Sequence, residues 1–342
     1  MKIKRYLQTL SITFFIVFIL ALTFSCETKT NPTEFSHLEL GEIRMTATLD
    51  TGDCNNCLHF TTASETVAEP KGGIIRIDEP TGDCVGTIVM YSGGLGNWYI
   101  SRREKGANFI SDLTKEGFRV IQIKWDKGWF IGRSGNYEGF KNLAVHPATV
   151  TQYIYDELAD KGKPFVLFGG SGGAAQIAYM LSFYGIDKIT NSAIVFGGFW
   201  MGRLDLGCFD KDSLNYYMHY SDRAKASIDL SFGFDSESKG PCELYDTNYV
   251  DLYKNNSVSI GGNYYYPGTH VYLIYGGNDR VGALNQGLTY YSALVTAKSP
   301  FVHMQVIDGA PHGILYDSTG YDVLQNIILK QIANETIANT TI

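Results

Sequence analysis

The sequence predicts an α/β protein with a mostly parallel central sheet and helices on both faces. Two observations carry this. From about residue 85 onward, short apolar runs alternate with segments of helical spacing. The runs are apolar throughout rather than at every second residue, as expected of strands covered on both faces. The composition agrees. Of 342 residues, 44 % are hydrophobic and 18 % charged, with 37 glycines and 23 tyrosines. That supports a large core and excludes a disordered chain, a coiled coil, a collagen or a disulfide-only miniprotein. A net charge of −7 leaves no basic surface to neutralise phosphates, so nucleic acid is not expected as a partner.

The elements follow in order. Residues 37–49, 74–77 and 85–91 alternate in β style. Residues 98–113 have helical spacing, closed by Gly117, and 119–125 form a strand. A helix is expected over 146–159, then an apolar strand at 165–168, a helix at 172–184 and a strand at 192–196. Residues 200–268 break the pattern, being polar and rich in tyrosine. The alternation resumes with a strand at 271–275, a helix at 282–297, a strand at 301–307 and a last helix at 320–332. The polar tail 334–342 is expected to fray.

The amino terminus reads as an address label. Lys2, Lys4 and Arg5 precede an apolar run over 10–22, which ends in Leu22-Thr23-Phe24-Ser25-Cys26. This resembles a bacterial lipoprotein signal. The resemblance implies removal of 1–25 and a lipid on Cys26, with 26–36 as a polar tether. Loss of three positive charges would take the net charge from −7 to −10. An ordinary secretory signal or an amino-terminal membrane anchor are the alternatives, and all three predict export. The expected location is the cell envelope, on a periplasmic or surface membrane face. Without Cys26 five cysteines remain. Cys208 and Cys242 bracket the irregular segment and are expected to pair, as is one of Cys54 or Cys57 with Cys84. Cys54-x-x-Cys57 could instead be a redox pair, although Gly, Asp and Asn surround it. His59 lies near, but no second spaced pair completes a zinc site.

Three loops carry the chemistry. The strand at 165–168 runs into Gly169-Gly170-Ser171-Gly172-Gly173 and then a helix. This is G-x-S-x-G in a strand–turn–helix context, which lifts a serine hydroxyl off a sheet at a helix amino terminus. A phosphate loop would need a lysine that does not follow. A serine needs a base, and the base an orienting acid. Asp279 lies just past the strand at 271–275, and His312 lies a short loop past the strand at 301–307. Asp308 is the rival acid, four residues from His312 in the same loop. His37, His59, His146, His219, His270 and His303 lack such context and are read as structural. The strand at 87–91 ends in Ser92-Gly93-Gly94-Leu95-Gly96. Backbone N–H groups of Gly94, or Leu95 one residue on, and of Gly172 are the expected oxyanion donors.

With the oxyanion loop, elbow, acid and histidine in this order, residues 86–332 resemble an α/β-hydrolase-fold serine hydrolase of the esterase and lipase kind. Ser92 departs from the family, where many members have His before the oxyanion glycine. The resemblance implies a cap at about 200–268 within a domain of residues 37–333. Its tyrosines suit sugar-bearing or aromatic esters, or simply pack the cap. It also implies attack by Ser171 on small-molecule or polymeric carboxylic esters, without metal or cofactor. A peptidase or acyltransferase with the same triad is the first alternative. A non-catalytic binding lipoprotein on the same scaffold is the second.

Overall fold

The computed structural model describes residues 35–46, 57–210, 220–235, 237 and 239–340. The expected signal at 1–25, Cys26, most of the tether, Cys54, Tyr216, Tyr217 and His219 lie outside the described residues.

Nine strands form one sheet in the order β1-β2-β3-β5-β4-β6-β7-β8-β9. They are β1 (Glu42–Thr46), β2 (Cys57–Ser64), β3 (Val67–Asp78), β4 (Gly86–Tyr91), β5 (Phe118–Trp125), β6 (Phe165–Gly170), β7 (Ser192–Phe196), β8 (His270–Gly276) and β9 (Val302–Ile307). From β5 to β9 all neighbours are parallel, and β1 to β3 add an antiparallel edge to β5. β4 and β7 are buried along their whole length, which accounts for sequences that are apolar apart from Thr87 and Ser192.

Alternate residues of the strands serve opposite faces. Ile88 and Met90 join a core with Phe109, Ile110 and Leu113 of helix α1 (Glu104–Lys115) and with Leu324 and Ile328 of the last helix. Phe109 stacks on Phe168 and meets Tyr321 edge-on, tying helix, strand and last helix together. On the other face the Tyr91 hydroxyl bonds Thr151 of helix α2 (Val145–Tyr153). Helix α3 (Gly172–Tyr184) is buried throughout. The irregular segment contains short helices at Leu204–Phe209, Pro241–Leu244 and Val250–Asn255, and a longer one, α4 (Asp222–Ser231). Helices α5 (Ala283–Thr296) and α6 (Ser318–Thr340) complete the chain.

Several expectations need correction. β2 was not legible: Thr61, Thr62 and Ser64 disguise it, and the Thr62 hydroxyl is buried against His146 Nδ1 at 2.9 Å. α1 starts at Glu104 rather than residue 98, because a 3-10 turn at Ile100–Arg102 precedes it. α2 ends at Tyr153 and gives way to a π-helical turn at Ile154–Leu158. α6 runs to Thr340, into the segment expected to fray, since neither glycine nor proline follows Gly320 to stop it.

The cysteines divide. Cys208 and Cys242 form the expected disulfide. Cys84 is a free thiol, whereas Cys57 is disulfide-bonded elsewhere. Topology explains why these two cannot join. Cys57 lies opposite Arg76, Arg76 opposite Gln122, and Gln122 beside Met90. Three strand spacings, about 14 Å, therefore separate Cys57 from β4, against the ~7 Å limit between the Cα atoms of a disulfide.

Candidate active site

Because β4, β6, β8 and β9 are parallel, the loops that follow them leave the same edge of the sheet. There they bring together the residues singled out by spacing.

Ser171 sits between β6 and α3 with φ +54° and ψ −119°. A β-carbon is rarely tolerated there, and the strain costs on the order of 1–3 kcal/mol. The surroundings hold it in place. Its N–H donates to the Phe196 carbonyl at 2.9 Å, and its carbonyl accepts from Ala175 N–H at 3.2 Å. Its neighbours must be glycine because the backbones nearly touch. A β-carbon on Gly173 would stand 2.1 Å from the Tyr91 carbonyl oxygen, and one on Gly172 would stand 2.5 Å from that of Gly94.

The Ser171 Oγ lies 2.9 Å from His312 Nε2. His312 Nδ1 lies 2.8 Å from Asp279 Oδ2. Asp279 Oδ1 accepts the Val281 N–H at 2.8 Å. An ionised carboxylate only accepts, so Nδ1 carries the proton and Nε2 is left to accept from the serine. The Asp279 side chain is 1 % exposed and that of His312 30 %. The carboxylate is thus shielded while the imidazole remains open to the site. Phe199 meets the imidazole edge-on, with centroids 6.2 Å apart.

Backbone bonds lace the acid loop to the histidine loop. Gly277 N–H donates to the Ile307 carbonyl at 2.8 Å, and Asn278 N–H to that of Ala310 at 2.9 Å. The Asn278 side-chain amide donates to the Gly309 carbonyl. The spacing of Asp279 and His312 is therefore set by main chain. The rival acid Asp308 is exposed, and the Nδ1 it would need is taken by Asp279.

The loop after β4 is pinned from the far side. Gly96 N–H closes a turn onto the Gly93 carbonyl at 3.1 Å. The carbonyls of Gly96 and Leu95 accept from the N–H groups of Trp125 and Trp129 at 2.9 and 3.2 Å. Gly94 has φ +59°, and its nitrogen is 2.8 Å from where a β-carbon of Gly172 would stand. The two expected donor residues are thus adjacent, with Gly94 rather than Leu95 against the elbow. Gly172 is the first residue of α3, where N–H groups have no partner within the helix. Ser92, which precedes Gly93 and Gly94, is buried.

A cavity of about 280 Å³ opens over this floor. Ser171, His312, Gly93 and Gly94 line it, with Trp98, Phe196 and Tyr316 as its aromatic walls. The described tyrosines of the irregular segment are absent from the lining; several pack instead, and Tyr265 is exposed. Tyr253 and Tyr266 are fully buried, and the Tyr264 hydroxyl donates to the Val258 carbonyl. Arg103 and Arg223 also line the cavity. Sequence reasoning missed both, because they are 120 residues apart and neither lies in a recognisable motif. Among the described residues, no group of three or more His, Cys, Asp or Glu is placed to hold a metal ion.

Solved structures share this architecture. A thermostable carboxyl esterase from Bacillus coagulans, in complex with glycerol, matches with a TM-score of 0.51 at 16 % identity, over 82 % of this chain and 98 % of that one. The fold is that of the α/β-hydrolases. Est1E from Butyrivibrio proteoclasticus with ferulic acid bound matches with a TM-score of 0.50 at 14 % identity, over 77 % of this chain and 96 % of that one. A lipase in its open form matches with a TM-score of 0.50 at 15 % identity, over 77 % and 94 %. No protein-family model matches the sequence, and no curated protein matches it.

Proposed function

We propose that this protein is a serine hydrolase that cleaves carboxylic esters through an acyl-enzyme. The observation that carries the proposal is the continuous chain from Asp279 through His312 to the Ser171 hydroxyl, with bonds of 2.8 and 2.9 Å. Ser171 Oγ attacks the ester carbonyl as His312 Nε2 takes its proton. The negative oxygen of the tetrahedral intermediate faces the N–H groups of Gly94 and Gly172, each worth about 3 kcal/mol in such sites. His312 returns the proton to the leaving alcohol as the C–O bond breaks. A water molecule, deprotonated by His312, then attacks the acyl carbonyl, and His312 returns that proton to Ser171 Oγ as its bond to the acyl group breaks and the acid leaves. Asp279 orients the ring and stabilises its charged form. That one similar structure is a carboxyl esterase by name and another a lipase fits this choice of substrate.

The same proposal places the enzyme in the cell envelope, anchored through lipid on Cys26. The signal-like residues 1–25 and the disulfide-bonded cysteines, as expected of an oxidising compartment, support it. The test of the chemistry is a fluorophosphonate probe on the folded protein, with the adduct mapped by mass spectrometry. An adduct on Ser171 that is lost in His312→Ala is expected, and absence of any adduct on the folded wild type would refute the mechanism. For the anchor, Cys26→Ala should move the protein from the membrane to the soluble fraction.

A further inference from the structure

The cavity over Ser171 contains a charge pattern that the reaction does not need. Among the described residues its lining includes two arginines, Arg103 and Arg223, and no aspartate or glutamate. This is unexpected in a chain with net charge −7. The two come from separate parts of the fold. Arg103 immediately precedes α1, not far along the chain from the oxyanion loop, and Arg223 belongs to α4 of the irregular segment. Among the described residues neither forms an ion pair with a carboxylate, although Glu104 and Asp222 are their chain neighbours.

Arg103 is also held in place. Its guanidinium lies 4.6 Å over the ring of Tyr316, itself a wall of the cavity. Beside it, Arg102 lies 4.3 Å over the ring of Trp98, and the Lys105 ammonium donates to the Tyr316 carbonyl. Stacking fixes a guanidinium plane while leaving its N–H edges available. Those edges match a carboxylate in bidentate fashion.

We infer that Arg103 and Arg223 select esters bearing a second, anionic carboxylate group. The inference rests on the serine-hydrolase proposal and names its substrate class. A half-ester of a dicarboxylic acid would present this carboxylate on the acyl side. An ester of a hydroxy acid would present it on the alcohol side. A cavity of about 280 Å³ is at the small end of ligand sites, so the substrate is small. Trp98 and Tyr316 give its spacer an apolar wall on which to lie.

Two matched pairs of substrates test this at low salt. Mono-4-nitrophenyl glutarate against its methyl ester reads the acyl side. 4-Acetoxybenzoate against its methyl ester reads the alcohol side, each rate being divided by its alkaline hydrolysis rate. In the wild type, kcat/KM should favour the anionic member of at least one pair by about 10-fold or more, the scale of a hydrogen bond between charged groups. The ratio should collapse toward unity in Arg103→Gln with Arg223→Gln and should be kept only in part by the double lysine variant, which retains the charges and loses the planar fork. Because a ratio is read, loss of folded protein does not mimic the effect. Equal or reversed preference in both pairs would overturn the inference. Binding of monomethyl glutarate to Ser171→Ala protein, compared with dimethyl glutarate, separates this from failure of the hydrolase proposal. The monoester should bind at least several-fold tighter, and more weakly as salt rises. Equal binding would overturn the inference even if no ester is turned over.

Discussion

Beneath the cavity, main-chain bonds tie the loop of Asp279 to that of His312, and the Ser171 N–H to the Phe196 carbonyl at the end of β7. In the irregular segment that supplies Arg223, side chains provide much of that holding. The floor's spacing comes from Gly277 and Asn278 bonding the histidine loop, and from glycines too closely packed to accept a β-carbon. The segment instead depends on Asp229, whose carboxylate accepts the N–H groups of Cys242 and Glu243 and the hydroxyl of Tyr253. The Cys208–Cys242 disulfide and the stack of Tyr253 on Phe232 complete it. A floor set by main chain holds catalytic atoms in one geometry. A segment held by side chains can change its lining residues without disturbing that geometry. Under the proposed function, chemistry would rest on the floor, and the part of selectivity that Arg223 supplies would be separable from it.

The largest effect expected from breaking the comparison is at the floor. Ser171→Ala should lower kcat on any substrate ester by at least about 10⁴-fold while leaving the thermal midpoint close to that of the wild type or higher, since alanine at this site removes only a hydroxyl. Steady-state rates and a melting curve check both halves. In the irregular segment the pattern should reverse. Asp229→Ala leaves two N–H groups and a hydroxyl without their acceptor and should cost about 3 kcal/mol of stability. The specific activity of the folded fraction toward a small neutral ester should stay within a few-fold. Denaturant titration beside activity measures this. Cys208→Ser with Cys242→Ser opens a loop of sequence separation 34 and should cost on the order of 3 kcal/mol, again with little change in kcat.

A smaller, pH-dependent effect sharpens the contrast. His146 is fully buried, and burial pushes its pKa down to about 3, aided by the charge of Lys71. The unfolded chain binds a proton there near pH 6.5 that the folded chain refuses. This contribution to stability is therefore intact above pH 6.5 and is lost progressively as pH falls toward 3, on the order of 3 kcal/mol by pH 4. Asp187 opposes it. Burial raises its pKa to about 6, so the folded chain holds a proton that the unfolded chain releases, and stability falls as pH rises from about 4 to 6. His146→Gln should flatten the acid limb of a stability–pH curve, and an unchanged limb would count against this assignment.

How much was legible follows the same division. Ser171, Asp279 and His312 could be read because each follows an apolar strand through a glycine-bearing loop, and parallel strands bring such loops to one edge. The bounds of α3 and β7 were readable because full burial leaves largely apolar runs, interrupted only by Gln176, Ser182 and Ser192. What depends on distant partners was not. Thr62 gives β2 a polar face only because His146 waits 84 residues away. Cys84 looked like a partner for Cys57 until β3 and β5 were placed between them. Arg103 and Arg223 meet at one cavity only through tertiary packing.

The most direct test of the central claim is the covalent intermediate. The protein should be mixed with excess of a 4-nitrophenyl ester that it turns over, quenched in acid within the first turnovers, and digested for mass spectrometry. The account predicts a burst of 4-nitrophenol and an acyl group on the peptide containing Ser171. Turnover with the acyl group on another residue, or with Ser171→Ala as active as the wild type, would contradict it.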